Sequence, residues 1–438
     1  MTVRDIALTL LDSHEASGKY INLSLSSHIT DSLTPTERAL LTSLLYTTVE
    51  RRLTIDYYVA ARAERSLDSL DSHTLNILRL GVAQLVFIDS VPDFAAVNET
   101  VKLARNKGER ALVNGILRRL SRDKADGCLP TPDRAKNLAR FLSVTHSFPL
   151  PLVRHFIGLF GEEKTERMLE SFNTLRYTDL TVNLQRISRE ELISLIRDAG
   201  YQAYPSPHSP LTVRIDGSVL PTKLPGFAEG LFFVEDTASA FAVSALGISE
   251  GDKVIDACAA PGGKSFAAAI LAGESGEVHS YDIHESKLSL IESGAKRLGL
   301  STVKVGLRDA TKPNEELFGC FDRVICDAPC SGLGVLGKKA DIRYRSLDSL
   351  DELSALQYDI LCASANYLKI GGTLVYSTCT LSKGENEGVV ERFLAERGEF
   401  ALSPFTVGDL HAPSGMLTLT PDEHSTDGFF IAKLTKVQ

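Results

Sequence analysis

The stretch DKVIDACAAPGGKS, residues 252–265, joins a short apolar segment to a turn that contains two adjacent glycines. The apolar segment has the length of a buried strand, and FAAAILA, residues 266–272, follows the turn as a helix candidate. A strand that passes through a tight turn into a helix is the first unit of a parallel α/β sheet. This stretch therefore predicts the fold of the region around it.

The same alternation continues to the end of the chain. Further strand candidates are EVHSYD (277–282), VKVGLRDA (303–310), DRVICDA (322–328) and GGTLVYSTCT (371–380), with helix candidates at 287–300 and 349–368 between them. Parallel strands joined by right-handed helical crossovers form a doubly wound sheet. Ligands of such sheets bind at the carboxyl ends of the strands. We therefore predict a Rossmann-like α/β domain over residues 231–438.

Residues 1–140 have helical periodicity throughout. Thr34 is a predicted N-cap, with Pro35 at the first helical position and Glu37 completing a capping box. SHTLNILRLGVAQLVFI (72–88) and FAAVNETVKLARNKG (94–108) predict two more helices, the second ended by its final glycine. This segment is predicted to be an all-α domain.

A small α+β module is predicted between these two regions, over residues 141–230. LTVNL (180–184) is a strand candidate and SREELISLIRDAG (188–200) an amphipathic helix. The polar segment CLPTPDRAKN (128–137) before it has the composition of a linker. The chain is thus predicted to be multidomain.

The composition is that of an ordinary globular protein, with 438 residues, 43% hydrophobic and 24% charged. Its first residues contain an acid and no uninterrupted apolar core, so we do not expect a signal peptide. No apolar run approaches the roughly 18 residues of a membrane span. The seven cysteines are odd in number and scattered. We therefore expect a cytoplasmic protein with free thiols.

The net charge of −9 does not indicate a nucleic-acid-binding protein, but the charge is unevenly distributed. Residues 102–124 hold eight Lys or Arg against only Glu109 and Asp123. From charge alone this segment is either a surface for phosphates or a solvated helix face. The candidate phosphate contacts are Lys102, Arg105, Lys107, Arg118 and Arg119.

The ends of the first three predicted strands carry the groups of a nucleoside pocket. Gly262 and Gly263 allow the backbone to approach a ligand closely. Their spacing is neither the G-x-G-x-x-G of dinucleotide-binding enzymes nor that of a P-loop. Asp282 ends the second strand, where a carboxylate accepts hydrogen bonds from ribose hydroxyls. Asp309 ends the third strand, where it could reach an adenine amino group.

Three motifs at these strand ends, VIDACAAPGGKS (254–265), CDAPCSGLGVL (326–336) and GTLVYSTCTL (372–381), resemble the Sun-type (RsmB-like) RNA cytosine-C5 methyltransferases. The resemblance covers the whole chain and implies a NusB-like RNA-binding domain at the front. It implies S-adenosylmethionine as cofactor and 16S ribosomal RNA as partner. The cofactor-binding residues it implies are Cys258, Ala259, Ala260, Pro261, Gly262, Gly263, Lys264, Asp282, Asp309 and Asp327.

The resemblance also implies Cys379 as the catalytic nucleophile and Cys330 as its assisting partner, and Asp327 completes the catalytic set because it could hydrogen-bond the base. Such chemistry needs two groups, because a thiolate must add to C6 of cytosine and a second group must help to remove the C5 proton. No metal is expected, since Cys326 and Cys330 have no further Cys or His nearby to complete a zinc site. Cys326 is interpreted as a core residue, as are Cys128, Cys320 and Cys362.

Four positions depart from the family pattern. Pro151 and Tyr344 stand where Trp is usual, Glu235 where Gln is common, and Ala340 where Pro is usual. None belongs to the catalytic set. Two alternatives stay open: another methyl acceptor, such as transfer RNA or a small molecule, and an inactive RNA-binding assembly factor. The intact aspartates and cysteines argue against the second.

Overall fold

The computed structural model describes residues 2–17, 33–64, 66–175, 177–217 and 219–438. It divides into two compact units, one of Met1–Glu170 with Lys338–Arg345 and the other of Ser171–Gly337 with Ser346–Gln438. The described residues include no helix that is both long and apolar enough to cross a membrane. The predicted domain bounds at 140 and 230 stay predictions.

The first unit is helical. Its α-helices are Val3–Ser17, Pro35–Glu50, Arg52–Ala63, Ser72–Phe87, Asp93–Val101, Lys107–Ala125, Leu138–His146 and Leu150–Phe160, and Glu162–Thr174 begins in it. The predicted capping box is present, because the Thr34 hydroxyl accepts from the Glu37 amide and the Glu37 carboxylate accepts from the Thr34 amide. The prediction that this region is helical throughout also covers residues 18–32, which lie outside the described residues.

The predicted helix ending at Gly108 is wrong in its bounds. The helix Asp93–Val101 ends earlier, and Gly108 lies in the first turn of the next helix, Lys107–Ala125. Asn106 starts that helix, since its side chain accepts a hydrogen bond from the Glu109 amide. This N-cap was not predicted, because the apolar spacing continues across the break between the two helices.

The second unit contains a four-stranded antiparallel sheet in the order β2-β3-β1-β4. Its strands are β1 (Tyr177–Val182), β2 (Ala203–Pro205), β3 (Thr212–Asp216) and β4 (Phe232–Val234). The predicted amphipathic helix is present as Arg189–Asp198, with a capping box between Ser188 and Glu191. Its apolar face, which includes Leu192 and Ile196, packs into the core of this sheet.

A larger mixed sheet follows in the same unit. Five strands pair in parallel in the order β9-β8-β5-β6-β7, and β14 adds antiparallel to β9. The strands are β5 (Lys253–Asp256), β6 (Glu277–Asp282), β7 (Val303–Leu307), β8 (Phe321–Asp327), β9 (Leu368–Thr378), β10 (Phe400–Leu402), β13 (Met416–Leu419) and β14 (Phe429–Lys436). β10 and β13 both pair with β14, and β11 (Phe405–Val407) and β12 (Leu410–Ala412) form a separate hairpin. The predicted parallel strands and the Rossmann-like fold are confirmed.

Helices cover both faces of the larger sheet. Thr237–Leu246, Gly263–Ala272, Glu285–Leu298, Leu350–Ala365, Glu387–Glu396 and the short Pro421–His424 are the remaining α-helices. Neighbouring strand residues point to opposite faces, so Val254 and Ile255 enter two different core clusters. Chain order reverses between β5 and β8, which is the topological switch point where ligands of such sheets bind.

The cysteines expected in the core have different environments. Cys326 is fully buried, as predicted, whereas Cys320 and Cys362 are half-buried. Cys128 is exposed, so its assignment to the core is wrong. It lies in the irregular segment after the helix Lys107–Ala125.

Candidate active site

The turn after β5 forms one wall of a pocket at the switch point. Gly262 has a φ of +116°, and a Cβ there would lie 2.4 Å from the Phe266 ring. A Cβ on Gly263 would lie 2.8 Å from Glu235 Oε1. The pocket has a volume of about 200 Å³ and is lined by Val234, Glu235, Asp236, Ser239, Asp256, Cys258, Ala259, Ala260, Pro261, Gly263, Lys264 and Asp327.

A charged centre occupies the floor of this pocket. Lys264 Nζ lies 2.7 Å from Asp327 Oδ2 and donates to Ser239 Oγ at 2.7 Å. Ser377 at the end of β9 donates to Asp327 Oδ1 at 2.7 Å. Burial acts to lower the pKa of Lys264, but Asp327 and Glu235 overcome it and raise that pKa to about 12. Lys264 therefore stays a cation that holds Asp327 at the end of β8.

Two further carboxyl groups lie at the back of the pocket. Burial is the main cause that raises the pKa of Glu235 and of Asp256 to about 7. Glu235 accepts from Ser239 Oγ at 2.9 Å, and Asp256 Oδ2 accepts from Ser265 Oγ at 2.7 Å. Asp256 Oδ1 is buried without a hydrogen-bond partner among the described residues. The pocket thus contains groups that titrate near neutral pH.

The departure at Glu235 predicts a pH-dependent stability difference. The folded-state pKa of about 7 exceeds the ordinary 4.5, so between these pH values the folded protein binds more protons and loses stability as the pH rises. The free energy of unfolding of Glu235→Gln, relative to that of the wild type, should therefore rise by on the order of 1–3 kcal/mol between about pH 5 and about pH 8. Urea unfolding at both pH values tests this, with the exposed Glu229→Gln as control. Parallel pH dependences of wild type and Glu235→Gln would contradict it.

The other predicted cofactor residues occupy different positions. Asp282 at the end of β6 accepts from the amides of Ala260, at 3.2 Å, and His284, at 2.9 Å, so its carboxylate fixes the glycine turn. Asp309 bonds locally, with Thr311 as the main cause of its lowered pKa and Lys312 contributing. Asp309 is absent from the described lining of the pocket. The structure therefore brings the turn and Asp327 together, whereas Asp282 binds the turn through the Ala260 amide and is also absent from the described lining of the pocket.

The two predicted catalytic cysteines meet at neighbouring strand ends. Cys330 follows β8 by three residues and Cys379 directly follows β9, and their sulfur atoms lie 3.2 Å apart. The hydrogen bond with Cys379 is the main cause, with burial second, that raises the pKa of Cys330 well above its ordinary value. The two thiols therefore interact directly at this edge of the sheet.

A buried carboxylate beside these cysteines was missed by the sequence analysis. Glu385 is fully buried and accepts hydrogen bonds from Ser331, Thr380 and Gln357. It lies in the polar run KGENEG (383–388), which has the composition of an exposed loop. The one feature of the sequence that pointed to Glu385 is that this run directly follows the strand candidate 371–380, which carries Cys379.

The predicted RNA contacts differ in their electrostatic surroundings. Lys102 pairs with Glu99 at 2.6 Å, Arg105 with Asp71 and Glu109, and Arg119 with Glu64 at 2.5 Å. Lys107 and Arg118 form no ion pair with any described residue, although Arg118 donates to Asn114 Oδ1 at 2.8 Å. The basic segment is thus partly neutralised within its own unit.

Comparison with known proteins agrees with this arrangement. Residues 1–122 match the NusB family, 148–220 a ferredoxin-like domain of RsmF/B-like methyltransferases, and 243–435 the family described as 16S rRNA methyltransferase RsmB/F. The chain is 34% identical over 452 aligned positions, covering all of both chains, to a probable ribosomal RNA small subunit methyltransferase B of Synechocystis. The chain belongs to the RsmB/F (Sun) family of methyltransferases.

Other members and structures extend this assignment. The relative of the same description from Bacillus subtilis is 33% identical, with 99% of each chain covered. The crystal structure of PH0851 superposes with a TM-score of 0.78 at 26% identity, covering 100% of this chain and 99% of that one. The predicted resemblance and the predicted order of a NusB-like domain, a small α+β module and a Rossmann-like domain are therefore confirmed for this RsmB/F methyltransferase.

Proposed function

We propose that this chain transfers the methyl group of S-adenosylmethionine to C5 of a cytosine in 16S ribosomal RNA, in the cytoplasm. The observation that carries the proposal is the 3.2 Å separation of the Cys330 and Cys379 sulfur atoms at the ends of β8 and β9. Two adjacent thiols meet the two chemical demands of cytosine-C5 methylation. The names of the relatives support ribosomal RNA as the substrate.

The pocket residues fit the proposed cofactor. The turn beside the pocket needs glycine at positions 262 and 263, since a Cβ there would meet Phe266 or Glu235. The Asp282 carboxylate uses two hydrogen-bonding positions on backbone amides and retains others for ribose hydroxyls. When bound, S-adenosylmethionine supplies an electrophilic methyl group. The residues from Cys258 to Lys264, with Asp282, Asp309 and Asp327, would hold it.

The proposed chemistry begins at Cys379. Its thiolate adds to C6 of the base, an S–C6 bond forms, and the electron pair of the C5–C6 double bond becomes available at C5. After C5 has taken the methyl group, with S-adenosylhomocysteine as the leaving group, Cys330 in its thiolate form accepts the C5 proton. The pair of electrons from the C5–H bond restores the double bond and the S–C6 bond breaks. Asp327, fixed by Lys264, would hydrogen-bond the base while it is activated.

The assay that tests this function follows tritium from labelled S-adenosylmethionine into RNA. We expect label in 16S RNA, at C5 of cytosine after digestion, and much less in transfer RNA. Parallel reactions with naked 16S RNA and with assembled small subunits identify the better substrate. Label in transfer RNA alone would replace the acceptor, and no transfer to any RNA would favour an assembly factor without activity.

The cofactor pocket gives a quantitative prediction. Asp282→Ala should weaken binding of S-adenosylmethionine by about 1–3 kcal/mol, because buried polar groups of the ligand and of the turn would lose their partner. The control is Asp322→Ala, which removes an aspartate paired with Lys369 near the other end of the sheet. Calorimetric titration of both variants with S-adenosylmethionine gives the two dissociation constants. An unchanged dissociation constant for Asp282→Ala would remove this residue from the cofactor site.

A further inference from the structure

The helix Lys107–Ala125 carries a group of exposed cations that the protein itself leaves without ion pairs. Lys107, Arg110, Arg118 and Arg122 are all exposed, and no carboxylate of the described residues pairs with any of them. At 100° per residue these four positions fall within about 120° of one helix face. We call these four residues the cationic stripe. The neighbouring cations Arg119 and Lys124 are instead paired, with Glu64 and Asp93.

An exposed aromatic ring lies next to the cationic stripe. Phe94, at the start of the adjacent helix, is 72% exposed. It lines a groove of about 670 Å³ with Asp93, Val97, Asn98, Arg118, Ser121 and Arg122. A large apolar side chain left in water beside two cations has the composition of a single-stranded nucleic-acid site, where bases stack on aromatic rings and cations contact phosphates.

We propose that the cationic stripe and Phe94 bind an unpaired segment of the RNA substrate. Arg118 and Arg122 would contact phosphates, and one base would stack on Phe94. This inference rests on the proposed function, because it takes RNA as the substrate. It also divides the basic segment, since the ion-paired Lys102, Arg105 and Arg119 then contribute little to RNA affinity.

The test compares two double variants of the full chain that remove the same charge. Arg118→Ala/Arg122→Ala should lower the slope of log affinity against log salt by about 1.4, the value for two phosphate contacts on a single strand. The control Lys102→Ala/Arg119→Ala removes two paired cations and should leave the slope nearly unchanged. Phe94→Ala should weaken binding about tenfold, whereas Phe94→Tyr should keep it. Filter binding to a 16S RNA fragment gives all of these values.

Two outcomes overturn the proposal. Equal slopes in the two double variants would mean that the cationic stripe is a solvated face, and wild-type affinity in Phe94→Ala would remove the stacking site. Failure of the proposed function looks different, because the wild-type protein itself would then fail to methylate this RNA. A wild type that methylates, with variants that bind as tightly, overturns only the present inference.

A second inference concerns Glu385, whose carboxylate is shared between the two cysteine loops. Its Oε2 accepts from the Ser331 amide at 2.8 Å and from Gln357 Nε2 at 2.9 Å. Its Oε1 accepts from Ser331 Oγ at 2.5 Å and from Thr380 Oγ1 at 3.2 Å. Ser331 follows Cys330 and Thr380 follows Cys379, so one side chain holds both loops.

The geometry points to Glu385 as a positioning residue that sets the separation of the two sulfur atoms. Its four hydrogen bonds go to Ser331, Thr380 and Gln357, and through Ser331 and Thr380 it fixes the backbone next to each cysteine. Asn386 supports the same arrangement, because its side chain donates to the Thr380 carbonyl at 3.0 Å and accepts from Thr378 Oγ1 at 2.5 Å. This inference rests on the proposed roles of Cys330 and Cys379.

Glu385→Gln keeps the side-chain shape but places an amide NH₂ where the carboxylate accepts hydrogen bonds. We expect kcat to fall about a hundredfold, since a displacement near 1 Å at a reacting group has that effect. The KM for S-adenosylmethionine and the RNA affinity should stay within about twofold. The matched control is Glu387→Gln in the same polar run, which should retain wild-type kcat.

The pattern of losses separates positioning from a purely structural role. A structural role predicts that kcat, cofactor affinity and melting temperature fall together, and a wild-type kcat in Glu385→Gln would overturn the inference outright. Ser331→Ala removes one hydrogen bond and keeps the backbone donor, so it should lower kcat less and in the same direction. Ser331→Ala is the variant to measure if Glu385→Gln fails to fold. Failure of the wild type to methylate the RNA would instead reject the proposed function.

Discussion

Replacing Cys379 with serine should abolish methyl transfer and prevent any covalent complex between protein and RNA. A hydroxyl at neutral pH is a far weaker nucleophile than a thiolate, so addition to C6 of the base would not occur. Cys379 is assigned the attack because the motif GTLVYSTCTL places it where the family resemblance implies the nucleophile, and the sulfur of Cys330 lies 3.2 Å from its own. We expect turnover to fall by at least about a thousandfold, at the level of single catalytic groups.

The same substitution at Cys330 should give the opposite result, with an RNA–protein band on the gel. Cys330→Ser still allows addition and methylation, but the C5 proton is removed slowly, so the RNA–protein adduct should accumulate as a band that survives denaturing electrophoresis. The double variant should lose the band. Cys128→Ser is the control, because this exposed thiol is far along the chain from both motifs and should leave turnover unchanged. A band in Cys379→Ser and none in Cys330→Ser would exchange the two roles.

The second large effect is expected at Arg214, far from the cysteines in sequence. Arg214 and Asp179 are both buried and form a bidentate pair, with distances of 2.7 Å and 2.8 Å. Asp179 also accepts from the amide and the hydroxyl of Thr237, at the start of the helix Thr237–Leu246. Arg214→Ala should lower the free energy of unfolding by about 3–5 kcal/mol, because a buried carboxylate would remain without its counter-charge.

Urea unfolding followed by circular dichroism measures this effect. Arg189→Ala removes a cation paired with the exposed Glu190 and should change stability by less than about 1 kcal/mol. Asp179→Leu/Arg214→Met removes both charges and should recover part of the loss. A loss of unfolding free energy below about 1 kcal/mol in Arg214→Ala would contradict this prediction. So would a double variant whose loss equals the sum of the losses in the two single variants.

The parallel strands of the larger sheet were predictable because their signal is local. Each strand is a short apolar run followed by a turn, and the turn after β5 requires glycine where the backbone adopts a φ of +116°. The antiparallel strands β10, β13 and β14 were not predicted. Strand direction depends on which edge is open, and β14 pairs with β9 across about fifty residues of sequence.

The candidate site divides in the same way. Motif spacing placed Cys330, Cys379, Asp327 and Lys264 at strand ends, and the structure brings them together because parallel strands end at one edge. Glu385 escaped notice, since a glutamate in a polar run is ordinarily exposed. Only the folded loops bury it, and they do so by giving its two oxygens four hydrogen-bond donors.

The sequence by itself determined the order of the domains, the doubly wound sheet and the residue types at its strand ends, because apolar periodicity, caps and glycine turns act over a few residues. The tertiary structure decided which charges are neutralised and which groups titrate. Arg105 and Arg119 form ion pairs with Asp71 and Glu64, which lie 34 and 55 residues away in sequence. Glu235 and Asp256 titrate near neutral pH only because other elements remove them from water. Such effects depend on distance in space and on exclusion of solvent, and neither is written in the local sequence.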